Sequence, residues 1–255
     1  MAGLKIAMSN ALVRGPLRPS PPAEMVTNIA ENIARVEERV AAACARSGRR
    51  REEVRLVAVS KTHPVDLIRA AFEAGLCDFG ENRVQEANSK HAPLADLAVT
   101  WHLVGHLQSN KARVARELFQ WVHSLDSGRL AEKLAAAARP GEPRMPVLIE
   151  VNLGEETSKS GLGAGDAATL AEQVAALASL DLRGLMVVPP FMENPEDVRP
   201  YFRRLRGLAE EIGARHLPNV SMRELSMGMS HDFEVAIEEG ATIVRVGTAI
   251  FGARQ

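Results

Sequence analysis

The spacing of apolar residues changes from helical to strand-like along the chain. From Ala23 to Arg46, apolar residues recur every three or four positions with charged residues between them, which predicts an amphipathic helix. The segment Val54–Ser60 is rich in β-branched residues and almost uninterrupted by polar ones, which is typical of a strand buried on both faces. Short apolar runs and helical stretches then alternate along the rest of the sequence.

The alternation predicts eight strands with seven helices between them. The strands are predicted at Arg55–Ser60, Asp78–Gly80, Thr100–Val104, Trp121–Ser124, Pro146–Asn152, Leu182–Val188, Arg223–Ser226 and Thr242–Val246. The helices are predicted near Val65–Ala74, Arg83–His91, Ser109–Phe119, Gly128–Ala138, Ala164–Ala178, Pro195–Ile212 and His231–Glu239. This pattern predicts an α/β protein, a single (β/α)8 TIM-type barrel with an extra N-terminal helix. A doubly wound open sheet is the alternative fold.

The first 22 residues differ in composition from the rest of the chain. They contain Lys5, Arg14 and Arg18 but no acidic residue, and prolines are frequent near residue 22. This composition opposes a helix and lacks the apolar core of a signal peptide, so we expect residues 1–22 to form a disordered N-terminal extension. Residues 23–255 are then predicted to form one barrel domain.

Composition and charge favour a soluble protein with a small-molecule partner. The 255 residues are 46% apolar and 25% charged, as in ordinary globular proteins. A formal net charge of −1 gives no general attraction to nucleic acid. The chain contains no apolar run of the roughly 18 residues needed to span a bilayer. Cys44 and Cys77 have the spacing of neither a disulfide framework nor a zinc site, so we expect a reducing, cytoplasmic location.

Lys61 follows the first predicted strand immediately before a loop. In parallel α/β folds, catalytic and ligand-binding side chains gather at this end of the strands. A partly buried amine loses some of the water that favours its charged form, so its pKa falls and it can attack a carbonyl carbon. Lys61 is therefore a candidate for a Schiff base. A structural lysine at the barrel rim is the alternative interpretation.

Glycines and hydroxyl residues mark the ends of the last two predicted strands. Ser226 and Gly228 lie at the end of the seventh strand, and Gly247 and Thr248 follow the eighth. In (β/α)8 barrels these two loops commonly bind phosphate, because glycine lets backbone N–H groups approach and Ser or Thr adds a hydroxyl donor. A lysine facing such a site predicts a phosphorylated carbonyl compound as the ligand.

A metal site is not predicted. His102 and His106 are four residues apart, but they flank a strand end next to Gly105. No carboxylate accompanies them in the pattern of a zinc site.

Seven segments resemble one protein family and occur in the order found in that family. They are Ala58–Thr62, Phe79–Asn82, Trp101–Lys111, Ser158–Gly161, Leu182–Met186, Leu225–Ser230 and Val244–Arg254. Together they are similar to the pyridoxal phosphate homeostasis proteins, and the resemblance extends from Ala23 to Arg254.

The resemblance implies a barrel similar to the N-terminal domain of alanine racemase, with pyridoxal 5′-phosphate (PLP) carried as an internal aldimine on Lys61. Arg245 is then expected to face the pyridine nitrogen, and Asn82 to lie near the ring. A permanent cation at that nitrogen disfavours its protonation, which weakens the cofactor as an electron sink. The residues implied for the phosphate are Ser226, Gly228, Gly247 and Thr248.

The resemblance favours a carrier over an enzyme. Racemases of this kind also use a tyrosine base from a further domain, whereas the only tyrosine of this chain is Tyr201. We therefore expect a monomeric protein that carries and buffers PLP in intracellular PLP and amino-acid homeostasis, with apo forms of PLP-dependent enzymes as further partners. One alternative is a PLP-dependent racemase or decarboxylase-like enzyme. Another is a class I aldolase that forms its Schiff base with a sugar phosphate.

Overall fold

The computed structural model describes residues 23–154 and 160–252, with side chains from residue 28 onward. The extension predicted for residues 1–22 lies outside the described residues, so its disorder stays a prediction. None of the helices in the described ranges is both long enough and apolar enough to cross a bilayer.

Parallel strands form a closed barrel. In chain order the strands are β1 (Arg55–Val59), β2 (Asp78–Glu81), β3 (Thr100–Leu103), β4 (Trp121–Leu125), β5 (Met145–Asn152), β6 (Leu162–Gly163), β7 (Leu180–Met186), β8 (Val220–Ser226) and β9 (Ile243–Val246). The two-residue β6 pairs with the end of β5. The other eight strands form a ring, in which β1 pairs with both β2 and β9. Because β4 also pairs with β5, the ring closes, so the (β/α)8 prediction is confirmed and the open-sheet alternative is wrong.

Helices surround the barrel. They are α1 (Ala23–Arg46), α2 (Val65–Glu73), α3 (Val84–His91), α4 (Ala112–Leu118), α5 (Gly128–Ala136), α6 (Ala167–Ala175), α7 (Arg199–Gly213), α8 (Phe233–Glu238) and α9 (Thr248–Phe251). Each of the seven predicted helices between strands is confirmed, with small differences at the ends. The last of them begins at Phe233 rather than at His231. The Asp232 carboxylate accepts a hydrogen bond from the Met229 N–H at 2.6 Å, so residues 229–232 form a turn before the helix.

The extra N-terminal helix α1 packs on the outside of the barrel against α2, α8 and α9. Its Val40 is fully buried, as the helical spacing of apolar residues predicts. Arg39 pairs with Glu234 of α8 at 2.9 Å. Asn32 Nδ2 donates to the carbonyl of Ile250 at 2.8 Å, so α1 also holds the short helix α9 that follows β9.

The barrel interior contains both apolar and polar side chains. Successive side chains on a strand alternate between the interior and the helix layer, so the interior receives every second residue. The apolar interior cluster consists of Val57, Trp121, Leu148, Met186 and Ile243. The buried polar side chains at inward positions are His102, His123, Glu150, Ser226 and Arg245. The last two lie near the carboxyl ends of β8 and β9, where the loops form a cavity.

Candidate functional site

A cavity of about 330 Å³ opens at the carboxyl ends of the barrel strands, and we call it the rim cavity. This volume lies in the range of small-molecule sites. Its walls are Val59, Lys61, His63, Asn82, Val104, Val188, Met229, Ser230, His231, Arg245, Gly247, Thr248 and Gly252. The structure therefore brings together five of the seven predicted site residues, which are Lys61, Asn82, Arg245, Gly247 and Thr248.

The residue before Lys61 is fixed by a buried polar cluster. Ser60 is fully buried, and its Oγ donates to Glu81 Oε1 at 2.6 Å. Lys90 Nζ donates to the Ser60 carbonyl at 2.9 Å and to Glu81 Oε1 at 2.8 Å. Burial raises the pKa of the Glu81 carboxyl, and its hydrogen bond with Lys90 opposes that change. These hydrogen bonds therefore restrict the backbone just before Lys61.

The residues after Lys61 are also held in place. Thr62 has a φ of 67°, a left-handed conformation that costs on the order of 1–3 kcal/mol for a residue other than glycine. The Thr62 N–H donates to the Glu86 carboxylate, which compensates for this conformation. The His63 ring stacks on Phe251 with 5.0 Å between ring centroids. Backbone strain of this kind is concentrated at functional sites.

Arg245 brings a buried cation to the rim cavity. Its Nη1 donates to the carbonyl and the Oγ of Ser226 at 2.7 and 2.6 Å, and its Nη2 donates to the Val187 carbonyl at 2.8 Å. Burial lowers the pKa of Arg245 to about 10, so the guanidinium remains charged at neutral pH. Only 4% of the residue is exposed, so its charge acts in a poorly solvated environment.

Ser226 and Gly228 do not line the rim cavity. The Ser226 side chain is fully buried, and its Oγ lies between Arg245 and His123 inside the barrel. Gly228 has a φ of 91°, and a Cβ added to it would lie 2.6 Å from the Cβ of Ala236. Gly228 therefore allows the loop after β8 to pack tightly on α8. The direct phosphate role that the sequence predicts for these two residues stays a prediction.

Ser230 also lines the rim cavity, and it is not among the seven predicted site residues. Its Oγ accepts from the N–H groups of Gly247 and Ala249 at 3.3 and 3.4 Å, so it joins the loops after β8 and β9. A Cβ on Gly247 would lie 3.1 Å from the Val59 carbonyl oxygen, so glycine lets the second loop approach β1. Its position at the end of a Gly-containing loop is the sequence signal that could have identified Ser230.

Two histidines inside the barrel were also missed as site components. His102 Nδ1 lies 2.9 Å from His123 Nε2, and both rings are fully buried. Burial lowers the pKa of His102, and it lowers that of His123 well below the usual value, so both rings are neutral. Their inward positions on β3 and β4 are the sequence signal that could have identified these two histidines. Among the described residues, no three His, Cys, Asp or Glu side chains are grouped as a metal site would require.

Glu150 is a further buried acid near the carboxyl end of β5. Burial raises the pKa of its carboxyl group to about 7, and the nearby charge of Arg245 opposes that increase. Its Oε2 is buried without a hydrogen-bond partner among the described residues.

The rim cavity combines an amine, a buried cation and a pair of loops with hydroxyl and N–H donors. The amine of Lys61 can form a covalent bond with a carbonyl carbon. The hydroxyls of Ser230 and Thr248 and the backbone near Gly247 can donate to an anion such as a phosphate group. The arrangement therefore fits a phosphorylated carbonyl compound, which is the ligand class that the sequence predicts.

Comparisons with known proteins agree with this ligand class. The family model described as "Alanine racemase, N-terminal domain" matches residues 27–255. The pyridoxal phosphate homeostasis protein of Aquifex aeolicus (strain VF5) is 46% identical over 228 residues, which cover 89% of this chain and 99% of that protein. The protein of the same description from Pseudomonas aeruginosa is 47% identical over 229 residues, which cover 90% of this chain and 97% of that protein.

A solved structure is similar over nearly the same range. It is the structure of PipY of Synechococcus elongatus PCC7942 with PLP bound. PipY is 42% identical in sequence with a TM-score of 0.77, and the match covers 88% of this chain and 100% of PipY.

Proposed function

Because the chain belongs to the family of pyridoxal phosphate homeostasis proteins, we propose that it binds PLP in the rim cavity, with the cofactor attached covalently to Lys61. The observation that carries the proposal is the position of Lys61 in the same cavity as Arg245 and Thr248. When bound, PLP supplies an aldehyde that reacts with amines and a ring that withdraws electrons.

Five residues of the rim cavity besides Lys61 have proposed roles. Thr248 and Ser230 donate hydrogen bonds to the phosphate group through their hydroxyls, which lie on the two loops that meet there. The Gly247 N–H donates to Ser230 Oγ at 3.3 Å and so joins these two loops beside the phosphate group. Asn82 lies beside the ring. Arg245 faces the pyridine nitrogen, and its positive charge keeps that nitrogen unprotonated.

The proposed binding is tested by titrating the cofactor-free protein with PLP and following the absorption of the bound cofactor. Lys61→Ala should abolish the absorption change of covalent attachment while leaving the unfolding free energy nearly unchanged, because a rim lysine leaves no core cavity. Lys111→Ala is the matched control, since Lys111 lies on the loop after β3 outside the rim cavity. Equal absorption changes in all three proteins would contradict the proposal.

We further propose that the protein carries PLP without efficient turnover. Arg245 keeps the ring nitrogen unprotonated, which weakens the ring as an electron sink for a carbanion. The test is the exchange of the α-proton of alanine in deuterated water. We expect exchange no faster than with free PLP, and many exchanges per bound cofactor would favour the racemase alternative instead.

The proposed setting is the cytoplasm, with a monomer that delivers PLP to apo forms of PLP-dependent enzymes. Both cysteines, the buried Cys44 and the exposed Cys77, are free thiols, which supports a reducing compartment. Delivery predicts that an apo enzyme regains activity faster from the loaded protein than from the same concentration of free PLP. The molar mass of the loaded protein, measured by light scattering, tests whether it is a monomer.

A further inference from the structure

A continuous chain of hydrogen-bonding groups crosses the barrel interior from Arg245 to Asp78. Arg245 Nη1 lies 2.6 Å from Ser226 Oγ, which in turn lies 2.9 Å from His123 Nδ1. His123 Nε2 lies 2.9 Å from His102 Nδ1, and His102 Nε2 lies 2.9 Å from Asp78 Oδ1. Arg245 lines the rim cavity, whereas Asp78 begins β2 at the opposite end of the barrel.

The middle of this chain has no access to water. Ser226, His102 and His123 are 0% exposed, whereas the Asp78 side chain at one end is 26% exposed. In such an environment a donor or acceptor without a partner is unfavourable, because no water replaces the missing hydrogen bond. Each buried group therefore needs the donor and acceptor roles of its neighbours to match its own.

The two ends determine the direction of every hydrogen bond. Arginine has only donors, and an ionised aspartate has only acceptors. Ser226 Oγ accepts from Arg245, so its own proton is free to be donated to His123 Nδ1. His123 must then carry its proton on Nε2 and donate it to His102.

The same reasoning fixes the second histidine. Because His102 Nδ1 accepts from His123, its proton lies on Nε2 and is donated to the Asp78 carboxylate. The opposite assignment would direct the Nε2 lone pair of His102 at that carboxylate, which is repulsive. The lowered pKa values of both rings agree with neutral imidazoles, each with one donor and one acceptor.

We propose that this chain positions Arg245 for the cofactor, with His123 and His102 as positioning residues that act through the Ser226 hydroxyl. With its proton held by His123, Ser226 presents a lone pair to the Arg245 guanidinium in one orientation. The bonds to Ser226 and Val187 use three of the five guanidinium N–H groups, and so fix the plane of the group at the cavity wall. The inference rests on the proposed function only for the identity of the ligand.

The first test uses the cofactor-free protein and does not depend on PLP. Nitrogen-15 NMR of labelled histidine distinguishes the two neutral tautomers and the cation. We expect both His102 and His123 as neutral rings protonated on Nε2. A proton on Nδ1 of either ring, or a cationic ring at neutral pH, would overturn the proposed chain.

The second test replaces one member of the chain. His123→Leu removes the acceptor for Ser226, so the Arg245 guanidinium should lose its distinct nitrogen-15 resonances through faster rotation, and the affinity for PLP should fall at least about tenfold. His123→Asn should restore much of both properties, because its Oδ1 can accept from Ser226 in place of Nδ1. Met186→Leu is the matched control, since it changes an interior side chain of the apolar cluster with little change in volume.

The outcomes separate the positioning role from the proposed function. The positioning role would be overturned if folded His123→Leu kept the Arg245 resonances and the PLP affinity of the unaltered protein. It would also be overturned if Met186→Leu lost as much PLP affinity as His123→Leu. If His123→Leu does not fold, His123→Asn and the tautomers of the unaltered protein decide the question. Failure of the unaltered protein to bind PLP would contradict the proposed function, whereas the tautomers would still test the chain.

Discussion

The Glu150 carboxyl group makes the stability of the protein depend on pH in the direction opposite to most acids. Burial raises its pKa in the folded protein to about 7, from a reference of 4.5. The folded state therefore binds this proton more tightly than the unfolded state does. The resulting stabilisation is present below about pH 4.5 and is lost as the pH rises through about 7.

Glu150→Gln should remove this dependence, because the amide resembles the protonated acid at every pH. Relative to the unaltered protein, the variant should gain roughly 2–3 kcal/mol of unfolding free energy between about pH 5 and about pH 8. Urea unfolding of the cofactor-free proteins at both pH values measures the difference. A constant difference between the two proteins would mean that the carboxyl group titrates normally.

Thr248→Val should separate recognition of the phosphate from recognition of the ring. Loss of a hydrogen bond to a charged group costs roughly 1.5–3 kcal/mol, so the affinity for PLP should fall about ten- to a hundredfold. Binding of unphosphorylated pyridoxal should change little. Thr100→Val at the amino-terminal end of β3 is the control. Equal losses of affinity for PLP and for pyridoxal would show that the phosphate group does not bind at Thr248.

Most of the site was predictable at the residue level because its residues follow strands directly. Lys61, Gly247 and Thr248 were found in this way, and all three line the rim cavity. His123 was missed because its role depends on a hydrogen bond to Ser226, 103 residues away in sequence. Such partners depend on which strands are neighbours and on their register, and a local pattern does not contain that information.

At the level of the elements, the pairing of β7 with β8 depends on a glycine. A Cβ added to Gly184 would lie 1.8 Å from the backbone oxygen of Glu224, so the two strands would have to separate. Gly184→Ala should therefore cost several kcal/mol, enough to unfold a protein of ordinary stability.

Gly207→Ala is the matched control for this prediction. Gly207 lies within α7, and an added Cβ would meet no atom within 4 Å. Alanine favours a helix over glycine by about 1 kcal/mol, so this variant should be slightly more stable. Urea unfolding of both variants measures the contrast. A stable Gly184→Ala protein would show that the two strands tolerate a wider separation.

The strands and helices were largely predictable because each has its own apolar period. The second strand, predicted as Asp78–Gly80, is present as Asp78–Glu81. The predicted helix Ser109–Phe119 is divided into a 3₁₀ turn and α4 (Ala112–Leu118). The short strand β6 was not predicted, because two residues are too few to show an alternation of apolar and polar residues.

At the scale of the whole molecule, closure of the barrel creates the site. Lys61 and Thr248 are separated by most of the described chain, but they follow β1 and β9, which pair side by side with Ala58 opposite Val246. Without that pairing, the amine and the proposed phosphate loops would not share a cavity. Covalent attachment of PLP at Lys61 therefore depends on Lys61 lying beside the last strand.

Reduction of the PLP-loaded protein with borohydride, followed by peptide mass mapping, distinguishes Lys61 from the other lysines as the attachment site. Borohydride converts the bond between the cofactor and an amine into a stable secondary amine, so each labelled lysine is identified by its peptide. We expect the label on the Lys61 peptide at close to one per chain and its absence after Lys61→Ala. A label found mainly on another lysine, such as Lys90 or Lys159, would contradict the assignment of Lys61 as the attachment site.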